Sequence, residues 1–397
     1  MFNGNLEDAL NVQDLRQMAK KRLPKWLFEF VDRGTEDESA LRNNRAAFER
    51  IRLKTQVLVD VSKRNPETTL FGSKHAMPVG IGSTGGIAGM MAYQGELALA
   101  RAAKAANVPF TLGTGSLTSM EQIARDVGGT LWFQLYMWSD VRLSHLLVER
   151  VKNAGFEALI VTVDGPVNTN REYNIRNGFA SPFSYNRRNT AAVLARPGWL
   201  LGVIMRYMLT TGMPRRENLP TEFKERVTQV SSAERKTKND ALTWDDLSKL
   251  RDMWPGKLMV KGILTPADAE RAISRGADGV IVSNHGGRNF DSSMAPIEAL
   301  GPIVDAVGHR TTVICDSGFR RGSDVVKALA IGAKFVLVGR ATLWGATVAG
   351  QAGVARALGI YHEEISRTLG FVGCPRIADL NRDFLERVAT PHLPLTM

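Results

Sequence analysis

Residues able to do chemistry converge on one stretch, Ser283-Asn284-His285-Gly286-Gly287-Arg288, closed by Asp291. His285 is a base that titrates near neutrality, Arg288 offers a planar fork suited to a carboxylate, and adjacent glycines let the backbone turn tightly beside a ligand. These types support proton abstraction from a small acid; a polar turn after a strand is the plain structural account. The same choice attaches to Asp164 before Gly165-Pro166, to Arg171, and to Lys261 after Leu258-Met259-Val260. It attaches also to Gln134 and Tyr136, which alternate with Phe133 and Leu135 and so share one face of a strand. Asp316-Ser317-Gly318-Phe319-Arg320-Arg321-Gly322 and Gly339-Arg340 join glycine amides to guanidinium groups, a pairing suited to phosphate.

The elements that must position these residues follow from periodicity. Apolar runs at 78–83, 109–112, 131–136, 158–164, 258–262, 279–283, 312–316 and 335–338 predict strands. Helical patterns alternate with them at 95–106, 119–125, 142–154, from 244, from 265, and at 296–307, 323–331 and 341–358. Ser119-Met120-Glu121-Gln122 and Thr265-Pro266 are helix starts. Eight strand-helix units predict an α/β fold of the (β/α)8 TIM-barrel type, whose active sites form at the C-terminal ends of the strands. A doubly wound sheet competes, because Gly80-Ile81-Gly82-Ser83-Thr84-Gly85 fits a dinucleotide turn by letter. No acidic residue closes the next strand as a ribose partner, however. In a barrel, Ser83-Thr84, Gln134, Tyr136, Thr162, Asp164, Lys261, Ser283 and Asp316 all fall at strand ends, and the two Gly/Arg loops follow strands seven and eight, where barrels bind phosphate. Residues 11–33 read as two helical segments around Pro24 capping the barrel, with Gly34 as a stop, and the stretch through 74 reads as irregular. The barrel takes in residues 1–397 as one domain with an insertion at 177–240.

Composition narrows the partners. The 397 residues are 44% hydrophobic with 37 Gly, as in a globular α/β enzyme, and carry a formal net charge of +11 that attracts anionic partners. Two cysteines, Cys315 and Cys374, make neither a disulfide framework nor a zinc site, so a reducing compartment and no metal are expected. Residues 1–17 contain acids and no apolar run, unlike a signal peptide. Residues 185–216 hold Arg187, Arg188, Arg196, Arg206, Arg215 and Arg216 with no Asp, Glu or Lys, among bulky apolar residues such as Trp199, Leu200, Leu201, Met205, Tyr207 and Leu209. The apolar run at 199–205 is far shorter than the ~20 residues that span a bilayer. It predicts an interfacial anchor, with aromatics at the headgroup level and arginines on anionic lipid. Arginines interleaved with aliphatics are not the solvated basic face that binds nucleic acid.

Taken together, Ser283-Asn284-His285-Gly286-Gly287-Arg288-x-x-Asp291, Phe133-Gln134-Leu135-Tyr136, Thr162-Val163-Asp164, Arg171-Glu172, Val260-Lys261-Gly262, Asp316-x-Gly318-x-Arg320-x-Gly322 and Gly339-Arg340 resemble the FMN-dependent L-2-hydroxy-acid oxidases and dehydrogenases, from about residue 11 to 374. Within that family the likeness is greatest to members that oxidise (S)-mandelate, whose membrane-binding segment corresponds to 185–216 here. The resemblance implies FMN with its phosphate on Gly318, Arg320, Gly339 and Arg340. Ser83, Thr84, Gly85, Gln134, Thr162, Lys261, Ser283 and Asp316 lie about the rest of the cofactor. Arg171 and Arg288 grip the substrate carboxylate, Tyr136 hydrogen-bonds the substrate, His285 is the base, and Asp164 stabilises its imidazolium. The implied reaction oxidises an L-2-hydroxy acid, (S)-mandelate or a related aryl acid, and passes electrons to a membrane quinone-type acceptor. The implied protein is a homotetramer held peripherally on the inner, cytoplasmic face of the cell membrane. An L-lactate dehydrogenase or oxygen-using oxidase is the nearest alternative; an FMN-barrel isomerase or non-catalytic flavin-binding membrane protein is more remote. Four positions depart from or vary within the pattern: Phe30 replaces a substrate-binding Tyr, Ser83 a Pro, Gly113 a Ser, and Gly85 stands where oxidases often have Ala.

Overall fold

The eight apolar runs form eight parallel strands: β1 (Val79–Ile81), β2 (Phe110–Gly113), β3 (Leu131–Leu135), β4 (Ala158–Thr162), β5 (Lys257–Ile263), β6 (Gly279–Val282), β7 (Thr312–Cys315) and β8 (Phe335–Val338). Each pairs with the next, and β8 returns to β1 through Val336 and Val79, closing a barrel. The structure, a computed structural model, describes residues 5–179, 186–220, 224 and 239–388. Every strand is covered on both sides, which is why it reads as a continuous apolar run.

Inside the barrel, Trp132, Ile160, Met259, Ile281, Ile314 and Phe335 form a small buried core, with Leu70 of the hairpin Thr68–Leu70 and Ser73–His75 packed against it. Strand side chains alternate faces, so the position two residues on from each inward apolar residue also points inward, one layer nearer the C-terminal mouth. On five of these six strands those positions are polar: Trp132 leads to Gln134 and Tyr136, Ile160 to Thr162 and Asp164, Met259 to Lys261, Ile281 to Ser283 and Ile314 to Asp316, while Phe335 leads to the apolar Leu337. A dry floor and a polar mouth thus come from one alternation.

The predicted helices are present, with Ser119 and Thr265 each accepting an N-terminal amide. Three expectations are corrected. The last helix runs Arg340–Val372 and breaks at Ala349 and Gly350, where the backbone leaves helical geometry; alanine-rich periodicity hid both the break and the continuation. The stretch through residue 74 is not irregular: it holds a helix, α3 (Ser39–Glu49), the hairpin, and the strand Ile51–Leu53 paired with Leu385–Arg387. The N-terminal helices α1 (Val12–Arg22) and α2 (Lys25–Asp32) are more than a cap, since Leu15 and Leu27, with Leu23 of the link between them, are fully buried in the main core.

The insertion folds as two helices, Arg187–Leu194 and Pro197–Thr210, meeting at 83°. Tyr185, the start of the predicted anchor, lies outside the described residues, as do 180–184, 221–223 and 225–238. Among the described residues no single helix is long and apolar enough to cross a membrane. The expectation of aromatics at the headgroup level is overturned for Trp199 and Tyr207. Both are buried, Trp199 Nε1 donating to the Met90 carbonyl and Tyr207 Oη accepting from the Gln94 amide. Leu201, Met205, Met208 and Leu209 are the exposed residues instead, Leu209 at 80%.

Candidate active site

At the mouth, His285 stands between an acid and a phenol. Its Nδ1 is 2.9 Å from Asp164 Oδ1 and its Nε2 is 3.2 Å from Tyr136 Oη. Burial disfavours the charged carboxylate of Asp164, but His285 and Lys261 beside it prevail and hold it down at about 2. An ionised carboxylate only accepts, so Nδ1 carries the hydrogen and Nε2 keeps a lone pair toward the open side, with Tyr136 donating to it. Burial pushes the imidazole below its ordinary value, with Lys261 and Arg288 assisting and Asp164 opposing. His285 is therefore a neutral base at pH 7 with a carboxylate ready to stabilise its protonated form.

The backbone that presents His285 is left-handed, φ 58, and so are Gly286 and Gly287, both at φ 70. Ser283 Oγ accepts from the His285 amide at 3.1 Å and from Lys261 Nζ at 2.8 Å, tying turn to strand. Residues unforeseen in the sequence complete the support. Asn44 of α3 and Asn284 exchange side-chain hydrogen bonds at 2.9 and 2.7 Å, and Asp291 Oδ1 accepts from the Ala40 amide. Nothing in the sequence marks Asn44 as a partner of a residue 240 positions away.

Lys261 Nζ lies 3.4 Å from Asp316 and 3.8 Å from Asp164. Burial works against the ammonium, yet these carboxylates keep its pKa above the ordinary value. Asp316, expected beside the cofactor, is thus placed as a partner of Lys261. Gly262 follows at φ +106, and a Cβ there would sit 2.5 Å from Asp164 Cβ. Gly262→Ala is expected to push Asp164 aside, lowering the substrate reaction rate at least tenfold and stability by about 1–3 kcal/mol. Stopped-flow reduction and denaturant unfolding check both; an unchanged rate would show that Asp164 has room to spare.

Four buried guanidinium groups surround this core. Arg288 donates to the carbonyls of Phe30, Val31 and Arg33 at the end of α2, Arg340 to those of Val31, Arg33 and Gly286, Arg171 to that of Arg288 and Arg320 to that of Phe319. Burial lowers all four, Arg171 to about 10 with Arg288 adding to the effect. Among the described residues none makes an ion pair. A cluster of desolvated cations whose partners are carbonyls and aromatic rings rather than carboxylates is a donor set for anions, both a phosphate and a carboxylate. Gly318, at φ +87, packs on Asn44, and Thr84 approaches Gly339 from the loop after β1.

The departures prove to be related. Ser83 Oγ donates to Gln134 Oε1 at 3.3 Å, and a Cβ on Gly113 would sit 2.4 Å from that hydroxyl. Ser83 and Gly113 therefore fit as a pair, the serine hydroxyl filling the space the glycine leaves. Gln134 Nε2 in turn donates to Thr162 Oγ1 at 3.0 Å, and around Gly85, φ +59, a Cβ would meet nothing within 4 Å. Phe30, on the last turn of α2, lays its ring 5.0 Å from the Arg288 guanidinium and 5.7 Å from that of Arg171, with Phe179 edge-on at 4.9 Å. Its face satisfies the cations by cation–π contact, but it donates no hydrogen bond.

The sequence profile of FMN-dependent dehydrogenases matches residues 19–387. The (S)-mandelate dehydrogenase of Pseudomonas putida is 40% identical over 380 residues, 96% of this chain and 94% of that protein. An L-lactate dehydrogenase of Yersinia pestis (strain Pestoides F) is 37% identical over 383 residues, 94% of this chain and 97% of that protein. The crystal structure of the monotopic membrane protein (S)-mandelate dehydrogenase superposes with a TM-score of 0.91 at 40% identity, covering 96% of this chain and 100% of that one. Mandelate oxidase bound to 3,3-difluoro-2-hydroxy-3-phenylpropionic acid gives 0.76 at 34% identity, covering 95% and 98%.

Proposed function

Since the chain belongs to the FMN-dependent dehydrogenase family and is an FMN enzyme oxidising 2-hydroxy acids, we propose that its substrate is (S)-mandelate or a related aryl L-2-hydroxy acid. The observation that carries this reading is His285, neutral and hydrogen-bonded between Asp164 and Tyr136, beside the buried Arg171–Arg288 pair.

When bound, FMN supplies the two-electron acceptor, its phosphate held by Gly318, Arg320, Gly339 and Arg340 and its ring by Ser83, Thr84, Gly85, Gln134, Thr162, Lys261 and Ser283. Arg171 and Arg288 bind the substrate carboxylate, and Phe30 makes an apolar wall beside them. Tyr136 orients the substrate hydroxyl. His285 Nε2 takes the proton as the 2-hydroxy acid is oxidised to the 2-oxo acid, and the Asp164 carboxylate stabilises the imidazolium. Lys261 and Asp316 hold the charge balance under the site. The test is anaerobic flavin reduction screened over lactate, glycolate, mandelate and ring-substituted mandelates. The reading expects mandelates to have the highest kcat/KM; a preference for lactate would overturn it.

The same reading makes the protein a homotetramer bound peripherally to the inner face of the cytoplasmic membrane, with a quinone-type electron acceptor. Support for the membrane contact comes from the exposed face of Pro197–Thr210 and from likeness to a monotopic membrane protein. Burying a leucine in acyl chains is worth roughly 1.5–3 kcal/mol. The paired change Leu201→Glu and Leu209→Glu is therefore expected to release the enzyme from anionic vesicles in a sedimentation assay while leaving flavin reduction unchanged. Continued sedimentation would rule this helix out as the anchor.

A further inference from the structure

Asn289 lies between Arg288 and Phe290 in the loop after β6, and its side chain crosses to the loop after β4. Its Nδ2 is 2.8 Å from the Asp164 backbone carbonyl and 3.2 Å from Asp164 Oδ1. A carbonyl only accepts, so it is the amide nitrogen, not the oxygen, that faces Asp164. Oδ1 is also the oxygen that receives His285 Nδ1 at 2.9 Å. One carboxylate oxygen thus serves two donors, both carried by the β6 loop.

We propose that Asn289 is a positioning residue for the base: by sharing the Asp164 carboxylate with His285 it limits how strongly that carboxylate stabilises the imidazolium, and it holds the two loops in register. This rests on His285 acting as the base. The charge of an anion divided between two donors acts less on each of them. Without the amide, His285 is the remaining side-chain hydrogen bond to Oδ1 and the imidazolium gains. The charged and titratable groups facing the pair are Tyr136 just after β3, Lys261 from β5 with Asp316 just after β7 behind it, Arg171 from the loop after β4, and Arg288 on the same loop as the base. None of them replaces a donor to Oδ1. A neutral Asn therefore tunes the pair without adding a charge to a crowded site.

The test compares the full-length holoenzyme with Asn289→Ala and Asn289→Gln. The first readout is the pH dependence of anaerobic flavin reduction. The second is the pH dependence of His285 modification by diethyl pyrocarbonate, followed by mass spectrometry, which needs no turnover. For Asn289→Ala both profiles are expected to move to higher pH by roughly half a pH unit to one unit, so that below the inflection the rate falls about 3–10-fold while at high pH it approaches wild type. KM for the 2-hydroxy acid stays within about twofold. Asn289→Gln, which keeps the donor, returns both profiles toward wild type. Unshifted profiles, a uniform loss of rate at every pH, or equal shifts in both variants would overturn the proposal. If the modification profile moves and the rate profile does not, Asn289 still tunes His285 but His285 is not the base, and it is the functional reading that fails.

Discussion

His285→Asn is expected to slow reduction of the flavin by the 2-hydroxy acid by about 10²- to 10⁴-fold, the usual range for a general base, with FMN still bound. Asn is the apt replacement because position 285 has φ 58, a left-handed geometry that Asn tolerates better than most residues. Its amide can still reach Asp164, so the turn and the buried carboxylate keep a partner. What is lost is a group that accepts a proton at Nε2. The pH profile separates this from a general loosening. In wild type the rate falls as pH drops through a histidine pKa that burial holds below its ordinary value, because protonation removes the base. The variant has no such group and loses that limb. Rapid-scanning absorbance across pH checks both; a variant that keeps the acid limb would place the base elsewhere.

Lys261→Met is expected to be the most damaging single change to stability, about 3–5 kcal/mol in denaturant unfolding. The Lys261 side chain is 13% exposed, and those of Asp164 and Asp316 are 11% and 15%. Removing the cation leaves two carboxylates in a poorly solvated place with like charge between them. Burial already opposes ionisation of Asp164, and with Lys261 gone only His285 and hydrogen bonds remain to hold it low. Its pKa therefore rises, and its support of the imidazolium weakens. Ser283 Oγ also loses its 2.8 Å donor at the base of the His285 turn. Stability and flavin reduction fall together, which unfolding curves and stopped-flow traces on one preparation establish. Lys261→Arg is not a mild control, since a planar fork does not fit a site shaped for an ammonium. A Met variant as stable as wild type would mean that the carboxylates share a proton or draw in water.

The barrel was legible because parallel strands covered on both faces have no polar side to show, so each appears as a short apolar run bounded by turns. The polar mouth was legible for a related reason: the alternation that buries Ile160 and Met259 also delivers Thr162 and Lys261 two positions on. Where both faces of an element are apolar, the pattern carries no direction. The insertion helix shows this: Trp199, Tyr207, Leu201 and Leu209 are equivalent to periodicity, and only packing against Met90 and Gln94 turns the aromatics inward and the leucines outward. The break at Ala349 and Gly350 was masked by a helix-forming composition.

By itself the sequence determined which residue types stand at the strand ends: a base, acids, a lysine, arginines and glycines, each following its apolar run. Residue type and local alternation are properties of neighbours along the chain, so the chain records them. Only the tertiary structure decided which of those groups meet. That His285 uses Nδ1 on Asp164, that Asp316 answers Lys261, that Ser83 fills the space of Gly113, and that Asn44 and Asn289 brace the loops are contacts between residues tens to hundreds of positions apart. Such contacts depend on barrel closure bringing every strand end to one mouth, and no local signal in the chain reports closure.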